Sequence, residues 1–171
     1  MFFGKQVKCS LLLDRDYYPQ VYLDIIKDEL TLHKINVVFT PGKEIENLFL
    51  EEDLLKTLIP SGDGKALQDF LDDIYRLEYD NCFPKYVEFH KKSAENKTYS
   101  SIYRDLKPSF DAYWNDKKKR HNLIPGKSTL AKLRVFFKEY YNMILPTSLL
   151  TKRLVDAGNS TAKELVSSLF Q

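Results

Sequence analysis

The sequence is short of the side chains that form disulfides and zinc sites. Its 171 residues include two cysteines and three histidines. Cys9 and Cys82 are too few for a disulfide framework, which favours a reducing compartment. His33, His90 and His121 have no Cys or His neighbour at ligand spacing, which argues against a zinc site. The composition therefore excludes a small disulfide-stapled domain and disfavours a zinc protein.

Long apolar runs and an excess of one charge are also missing. No window approaches the roughly 20 apolar residues of a membrane span, and the start lacks the layout of a signal peptide. We therefore expect a cytoplasmic protein that does not associate with membranes. The formal net charge of +2 does not by itself indicate nucleic-acid binding, so any basic surface must come from local clustering.

The first part of the chain carries the pattern of a parallel strand–helix–strand unit. The runs VKCSLLL (residues 7–13) and INVVFT (residues 35–40) are short, apolar and compatible with β-strands. Between them, after Pro19, apolar residues recur with helical spacing at Val21, Ile25, Ile26 and Leu30. The sequence therefore predicts an α/β fold that begins with a right-handed βαβ unit.

The rest of the chain predicts helices. Helical patterns cover, in order, residues 44–58, residues 67–92 and most of the chain after residue 124. The second pattern is interrupted near Pro84. Residues 115–124 form a polar connector, and Ser128 is the predicted cap of the helix that follows it. We divide the chain into an α/β segment, residues 1–60, and a mostly helical C-terminal region, residues 61–171.

A two-stranded parallel sheet is incomplete by itself. Its apolar faces and unpaired edges need further strands, and residues 1–8 offer at most one edge segment. The missing strands are expected either from another chain or from a longer protein of which this chain is the end.

Charged residues follow both predicted strands. Asp14 and Asp16 come directly after the first, and Lys43, Glu44 and Glu46 come directly after the second. The carboxyl ends of parallel strands lie at one edge of a sheet, so these residues should meet. Carboxylates gathered there can hold a cation such as Mg²⁺, directly or through water. Other interpretations stay open: a capping or solvated aspartate, glutamates that favour a helix dipole, and a surface lysine.

The same residues carry a family resemblance. The segment LLLDRDYYP…INVVFTPGKEIENLFL resembles the second half of the TOPRIM domain in OLD-type, ATPase-associated nucleases of anti-phage defence. In that family a strand ends in D-x-D, and a later strand leads into a run like R-E-I-E-N-Y-L-L. Residues 125–170 also resemble the helical C-terminus of those proteins. The resemblance implies a partial TOPRIM fold, which is a Rossmann-like parallel sheet.

It also implies a metal-dependent DNA endonuclease that uses Mg²⁺ or Mn²⁺ in a two-metal site. Asp14 and Asp16 match the metal-binding D-x-D, and Glu44 and Glu46 match the acids of the I-E-N segment. Lys43 falls where such nucleases have a basic residue that can stabilise the transition state. The implied catalytic residues are therefore Asp14, Asp16, Lys43 and Glu46, and the implied metal ligands are Asp14, Asp16, Glu44 and Glu46.

Two departures from the family pattern shape the expected partners. No V-E-G-like segment precedes Asp14, and no Walker motif marks an ATPase half. The expected partners are DNA and an ATPase domain or subunit that supplies the rest of the sheet, with homo-oligomerisation also possible. The main alternative is a non-catalytic TOPRIM-like module that binds an ATPase. A third possibility is a phosphatase with Asp14 as nucleophile, although only Thr40 stands where that pattern expects a Ser/Thr run.

Two further patterns have competing interpretations. The basic run KKKRH (residues 117–121) either contacts DNA phosphates or forms a solvated loop, and the loop is the more usual outcome. Aromatic residues near helical spacing are more often core than a base-stacking platform: Tyr99, Tyr103, Phe110, Tyr113 and Trp114.

Overall fold

The computed structural model describes residues 9–60, 63–94 and 96–169. It opens with strand β1 (Cys9–Leu13), helix α1 (Gln20–Leu32) and strand β2 (Ile35–Phe39). The two strands pair in parallel, with Cys9 opposite Ile35 and Leu13 opposite Phe39. The strand–helix–strand order is the one that the sequence predicts. The possible edge segment in residues 1–8 lies outside the described residues.

The remaining described chain is helical. Its elements are a 3₁₀ helix (Ile45–Leu50), α2 (Glu52–Lys56), α3 (Gly64–Lys92), α4 (Tyr99–Asn115), a second 3₁₀ helix (Arg120–Asn122), α5 (Gly126–Tyr141), α6 (Thr147–Asp156) and α7 (Ser160–Leu169). The chain is thus mostly helical, with a small two-stranded parallel sheet. Among the described helices, none combines the length and the apolar character needed to cross a membrane.

Several predicted helix boundaries are wrong. The helix predicted over residues 44–58 is two short helices, because Glu51 adopts an extended conformation between them. Helix α3 runs through Pro84 without a break. A proline inside a helix removes one backbone hydrogen bond, but its neighbours Phe83 and Val87 are buried, and their packing keeps the helix continuous. Helix α5 begins after Pro125, so Ser128 is not its cap.

Most of the core lies between the long helices. Phe110 of α4 and Phe137 of α5 are fully buried there. Tyr17 and Leu50, from the α/β segment, belong to the same cluster. Residues on both sides of residue 60 therefore share one core, and the helical part of the chain already begins at Ile45.

Both faces of the sheet are covered by helices, as a parallel sheet requires. Helix α1 packs against β2, and Leu23 and Val37 are buried. Neighbouring residues of a strand point to opposite faces, so Asn36 points away from the Val37 side. Its amide donates 2.7 Å to the Ser168 carbonyl of α7. The C-terminal helix thereby closes the second face of the strands that position the candidate site.

The aromatic residues and the basic run each divide into two groups. Phe110 and Trp114 are buried, whereas Tyr99 and Tyr103 are exposed. In the basic run, Lys117, Lys118 and Lys119 are exposed. Arg120 and His121 turn inward instead and belong to the protein interior.

Candidate functional site

Hydrogen bonds join the loop after β1 to the loop after β2. The buried Thr40 donates its N–H to the Leu13 carbonyl at 2.9 Å, and its hydroxyl donates to the Gly42 carbonyl at 2.7 Å. The same hydroxyl accepts the Arg15 N–H at 2.9 Å. These bonds bring together Asp14, Asp16, Lys43 and Glu44, which we call the rim.

The two aspartates of the rim have different surroundings. Asp14 is exposed, and its Oδ1 accepts the N–H of Ile45 at 3.0 Å, so it helps to cap the first 3₁₀ helix. Asp16 adopts a left-handed backbone conformation with φ of 49°, and its N–H donates to the Lys43 carbonyl at 2.9 Å. Few non-glycine residues adopt this conformation, although aspartate and asparagine do so most readily. The fold therefore holds Asp16 in an uncommon geometry.

Lys43 is the cation among the acids of the rim. Its side chain is only 15% exposed, and its ammonium pairs with Glu44 and lies 3.7 Å from Asp16 Oδ1. It also lies 5.6 Å from the centre of the Tyr17 ring. The Lys43 ammonium thus already offsets part of the negative charge of Asp16 and Glu44.

Glu44 is engaged at both carboxylate oxygens. Oε1 accepts from Lys43, and Oε2 accepts the N–H of Lys127 at 2.8 Å. Burial alone would raise the pKa of Glu44, but these hydrogen bonds and the positive charge of Lys43 lower it below its ordinary value. Glu44 is therefore a carboxylate at neutral pH whose oxygens are held within the protein.

Glu46 lies against the start of α5. Its Oε2 is buried and has no hydrogen-bond partner among the described residues. Its Cβ lies against the start of α5, 3.1 Å from where a Cβ on Gly126 would stand. Among the described residues no hydrogen bond or ion pair joins Glu46 to Asp14 or Asp16, so its predicted metal and catalytic roles stay predictions.

The carboxylates of the rim fit a cation site that keeps several waters better than a site with three or more protein ligands. Within the described ranges, no group of three or more His, Cys, Asp or Glu side chains is placed to hold a metal ion. Mg²⁺ commonly retains several waters and uses only one or two carboxylates. Asp14 and Asp16, both accessible to solvent, fit that arrangement. Both oxygens of Glu44 already accept hydrogen bonds, and its predicted role as a metal ligand stays a prediction.

Asn47 supports the rim from behind, and sequence reasoning missed it. The residue is fully buried, its Oδ1 accepts the Glu44 N–H at 2.6 Å, and its Nδ2 donates to the carbonyls of His121 and Ile124 at 2.6 and 2.9 Å. The available signal was a neutral polar residue directly before the apolar run of residues 48–50. Buried amides are usually fully hydrogen-bonded, and this one joins the rim to the segment before α5.

A cleft of about 310 Å³ opens beside the rim. Its walls include Arg15, Asp16, Tyr18 and Lys43 from the rim loops, Tyr86 and His90 from α3, Phe110 and Tyr113 from α4, and Asn122 from the second 3₁₀ helix. Ligand sites in open α/β sheets lie at this place, outside the carboxyl ends of the strands. The cleft combines two cations with aromatic side chains. Sequence patterns did not reveal it, because α3 and α4 are distant along the chain from the rim loops.

The ring of His121 makes stability sensitive to acid. The residue is 8% exposed, and burial lowers its pKa to about 4 although the Glu52 carboxylate acts in the opposite direction. An unfolded histidine titrates near pH 6.5. As pH falls from about 6.5 to about 4, the unfolded chain therefore binds a proton at this ring while the folded chain does not. Stability is therefore lost across that window.

We expect wild type to lose up to about 3 kcal/mol of unfolding free energy between about pH 7 and pH 4.5 from this group, and His121→Phe to lose less. Urea unfolding at the two pH values measures the difference. His33→Phe is the matched control, since His33 is exposed at the end of α1. Equal losses in wild type and His121→Phe would show that another group dominates.

Comparisons with known proteins add no relative. A scan against protein-family models finds no match, and neither the curated proteins nor the solved structures give a significant match. The similarity to OLD-type nucleases therefore depends on the sequence motifs alone.

Proposed function

We propose that the rim binds Mg²⁺ or Mn²⁺ through Asp14 and Asp16, and that the chain contributes to a TOPRIM-type, metal-dependent DNA endonuclease. One observation carries the proposal. At the carboxyl ends of both strands, Asp14 and Asp16 each bond to the loop after β2, and Asp16 and Lys43 line an open cleft. An ATPase domain or subunit would supply the other strands of the sheet.

Each rim residue has a defined task in phosphodiester hydrolysis. A bound divalent cation would polarise a phosphate oxygen and make a bound water more acidic. Asp14 and Asp16 would hold that cation. Lys43, kept in place by Glu44, is positioned to neutralise charge that develops on a phosphate oxygen. A second metal would need further carboxylates, such as the glutamate that the TOPRIM pattern places on an earlier strand.

Metal binding is the first test, because it does not require a complete nuclease. In the double variant Asp14→Asn/Asp16→Asn, asparagine at 14 keeps an acceptor for the Ile45 N–H, and asparagine at 16 tolerates the left-handed backbone. The variant should therefore fold normally while losing both charges. We expect calorimetry to show saturable Mn²⁺ binding by wild type and none by the variant.

Asp28→Asn is the matched control, since Asp28 is an exposed aspartate of α1. It should bind Mn²⁺ as wild type does. The proposal fails if the double variant and wild type bind Mn²⁺ equally. Where binding is confirmed, a DNA cleavage assay with the ATPase partner present then tests whether the cation serves hydrolysis.

A second candidate function is binding of an ATPase partner without catalysis. Among the described residues, β1 has β2 as its only strand partner, and Leu12 on β1 is 39% exposed. Unpaired backbone at a sheet edge is a template for another strand. A chain that acts only in this way would bind its partner equally well as wild type and as the double variant, and it would not bind Mn²⁺.

A further inference from the structure

The cleft beside the rim has the composition of a nucleotide site. Aromatic side chains line it: Tyr86 and Tyr113 are partly exposed, and the buried Phe110 packs against Tyr86 with 5.2 Å between ring centroids. Aromatic side chains stack on nucleobases of any sequence, because every base has a π-face. The volume of about 310 Å³ lies at the lower end of the range for small-molecule sites, which suits one base with its sugar.

Charge at the mouth of the cleft favours an anion. Arg15 donates to the neutral Gln20 side chain at 3.1 Å, and among the described residues no ion pair involves Arg15. Lys43 also lines the cleft but is already paired with Glu44 and Asp16. Guanidinium groups bind phosphate in a bidentate manner, so the uncompensated Arg15 is the stronger phosphate donor of the two.

His90 adds a directional polar group. Its Nδ1 lies 2.9 Å from the Tyr86 carbonyl, which can only accept, so Nδ1 carries the proton. Burial lowers the pKa of His90, which keeps the ring neutral at physiological pH and leaves Nε2 as an acceptor. Exocyclic amino groups of bases are donors that such an acceptor can bind.

We propose that this cleft binds a single nucleotide, with the base stacked on the partly exposed rings of Tyr86 and Tyr113 and the phosphate at Arg15. The ligand is either a free nucleoside monophosphate or an unpaired nucleotide of a nucleic-acid strand, since both present the same base and phosphate. Of the carboxylates proposed to hold metal, Asp16 lines the cleft, but neither the base nor the phosphate is placed on it. Binding therefore does not depend on the proposed cleavage activity.

The test is a binding titration in EDTA, so that metal plays no part. Probes are dAMP, dCMP, deoxyadenosine, inorganic phosphate and a short single-stranded oligonucleotide. Trp114 is the only tryptophan of the chain and stacks on Phe110 at 5.4 Å between ring centroids, so its fluorescence reports ligand in the cleft. We expect dAMP or dCMP to bind saturably, and more tightly than either the nucleoside or phosphate alone.

Variants locate the site. Arg15→Gln should weaken nucleotide binding about tenfold while leaving nucleoside binding unchanged, and Tyr113→Leu should weaken both. Arg76→Gln and Tyr99→Leu replace exposed residues outside the cleft and should change neither. Tighter binding of the oligonucleotide than of dAMP would identify a strand as the source, and the reverse order would identify a free nucleotide.

Three results would overturn the proposal: no saturable binding of any nucleotide, equal binding of phosphate and nucleotide, or equal binding by Arg15→Gln and wild type. In EDTA the variant Asp14→Asn/Asp16→Asn should bind nucleotide at least as tightly as wild type, because it removes the negative charge of Asp16 from the wall of the cleft. Loss of Mn²⁺ binding and loss of nucleotide binding are thus separate outcomes, so either proposal can fail while the other stands.

Discussion

Replacing Asn47 with alanine is expected to lower the free energy of unfolding by about 3 to 5 kcal/mol. The change removes three hydrogen bonds from a fully buried side chain. It also leaves the Glu44 N–H and the carbonyls of His121 and Ile124 without that partner. A buried polar group left unpaired costs about 1 to 3 kcal/mol, which makes the loss larger than three average hydrogen bonds.

Urea unfolding measures this loss, with Asn81→Ala as the control. Asn81 is exposed, and its contacts are long, at 3.4 and 3.5 Å, so its replacement should change stability by about 0.5 kcal/mol or less. Asn47→Asp should be at least as harmful as Asn47→Ala, because a carboxylate would face two carbonyl oxygens. A loss below about 1 kcal/mol in Asn47→Ala would mean that water replaces the amide.

The second large effect concerns Arg120. Its side chain is 11% exposed, and Nη2 donates to Glu52 at 2.6 Å and to Asp72 at 2.8 Å. The guanidinium also lies 3.9 Å from the centre of the Tyr75 ring. Arg120→Met would leave the Glu52 carboxylate, 9% exposed, without its closest cation and with only the Lys56 ammonium at 4.0 Å. Breaking a buried ion pair in this way typically costs about 3 to 5 kcal/mol.

A double variant separates the lost pair from the lost packing. Glu52→Gln in the Arg120→Met background removes the uncompensated charge, so we expect it to restore part of the stability, as measured by urea unfolding. Arg76→Met is the control, because the Arg76 side chain is 71% exposed in its pair with Asp73 and should contribute about 1 kcal/mol or less. A double variant no more stable than Arg120→Met would show that packing on Tyr75 carries the effect.

The sequence determined the βαβ unit because its signals are local. Apolar runs bounded by Pro19 and by the Pro41–Gly42 turn are visible within short windows. Strand polarity then places Asp14 and Lys43 at one edge without further information. The meeting of these residues was therefore predictable, whereas the partner of each side chain was not.

Interactions between distant segments explain what the sequence left undetermined. Glu44 is held by the backbone of Lys127, 83 residues away, and Asn47 bonds to carbonyls 74 and 77 residues away. No periodicity encodes such pairs. The unbroken course of α3 through Pro84 is similar, because packing of a buried face outweighs the local preference of proline.

The hydroxyl of Thr40 has a thermodynamic consequence for any ligand that binds at the rim. Since it fixes both loops through Arg15 and Gly42, the loops are already ordered before a ligand arrives. A preorganised receptor loses little conformational entropy on association, so more of the interaction enthalpy remains as affinity. Removal of this one hydroxyl should thus weaken ligands that it never touches.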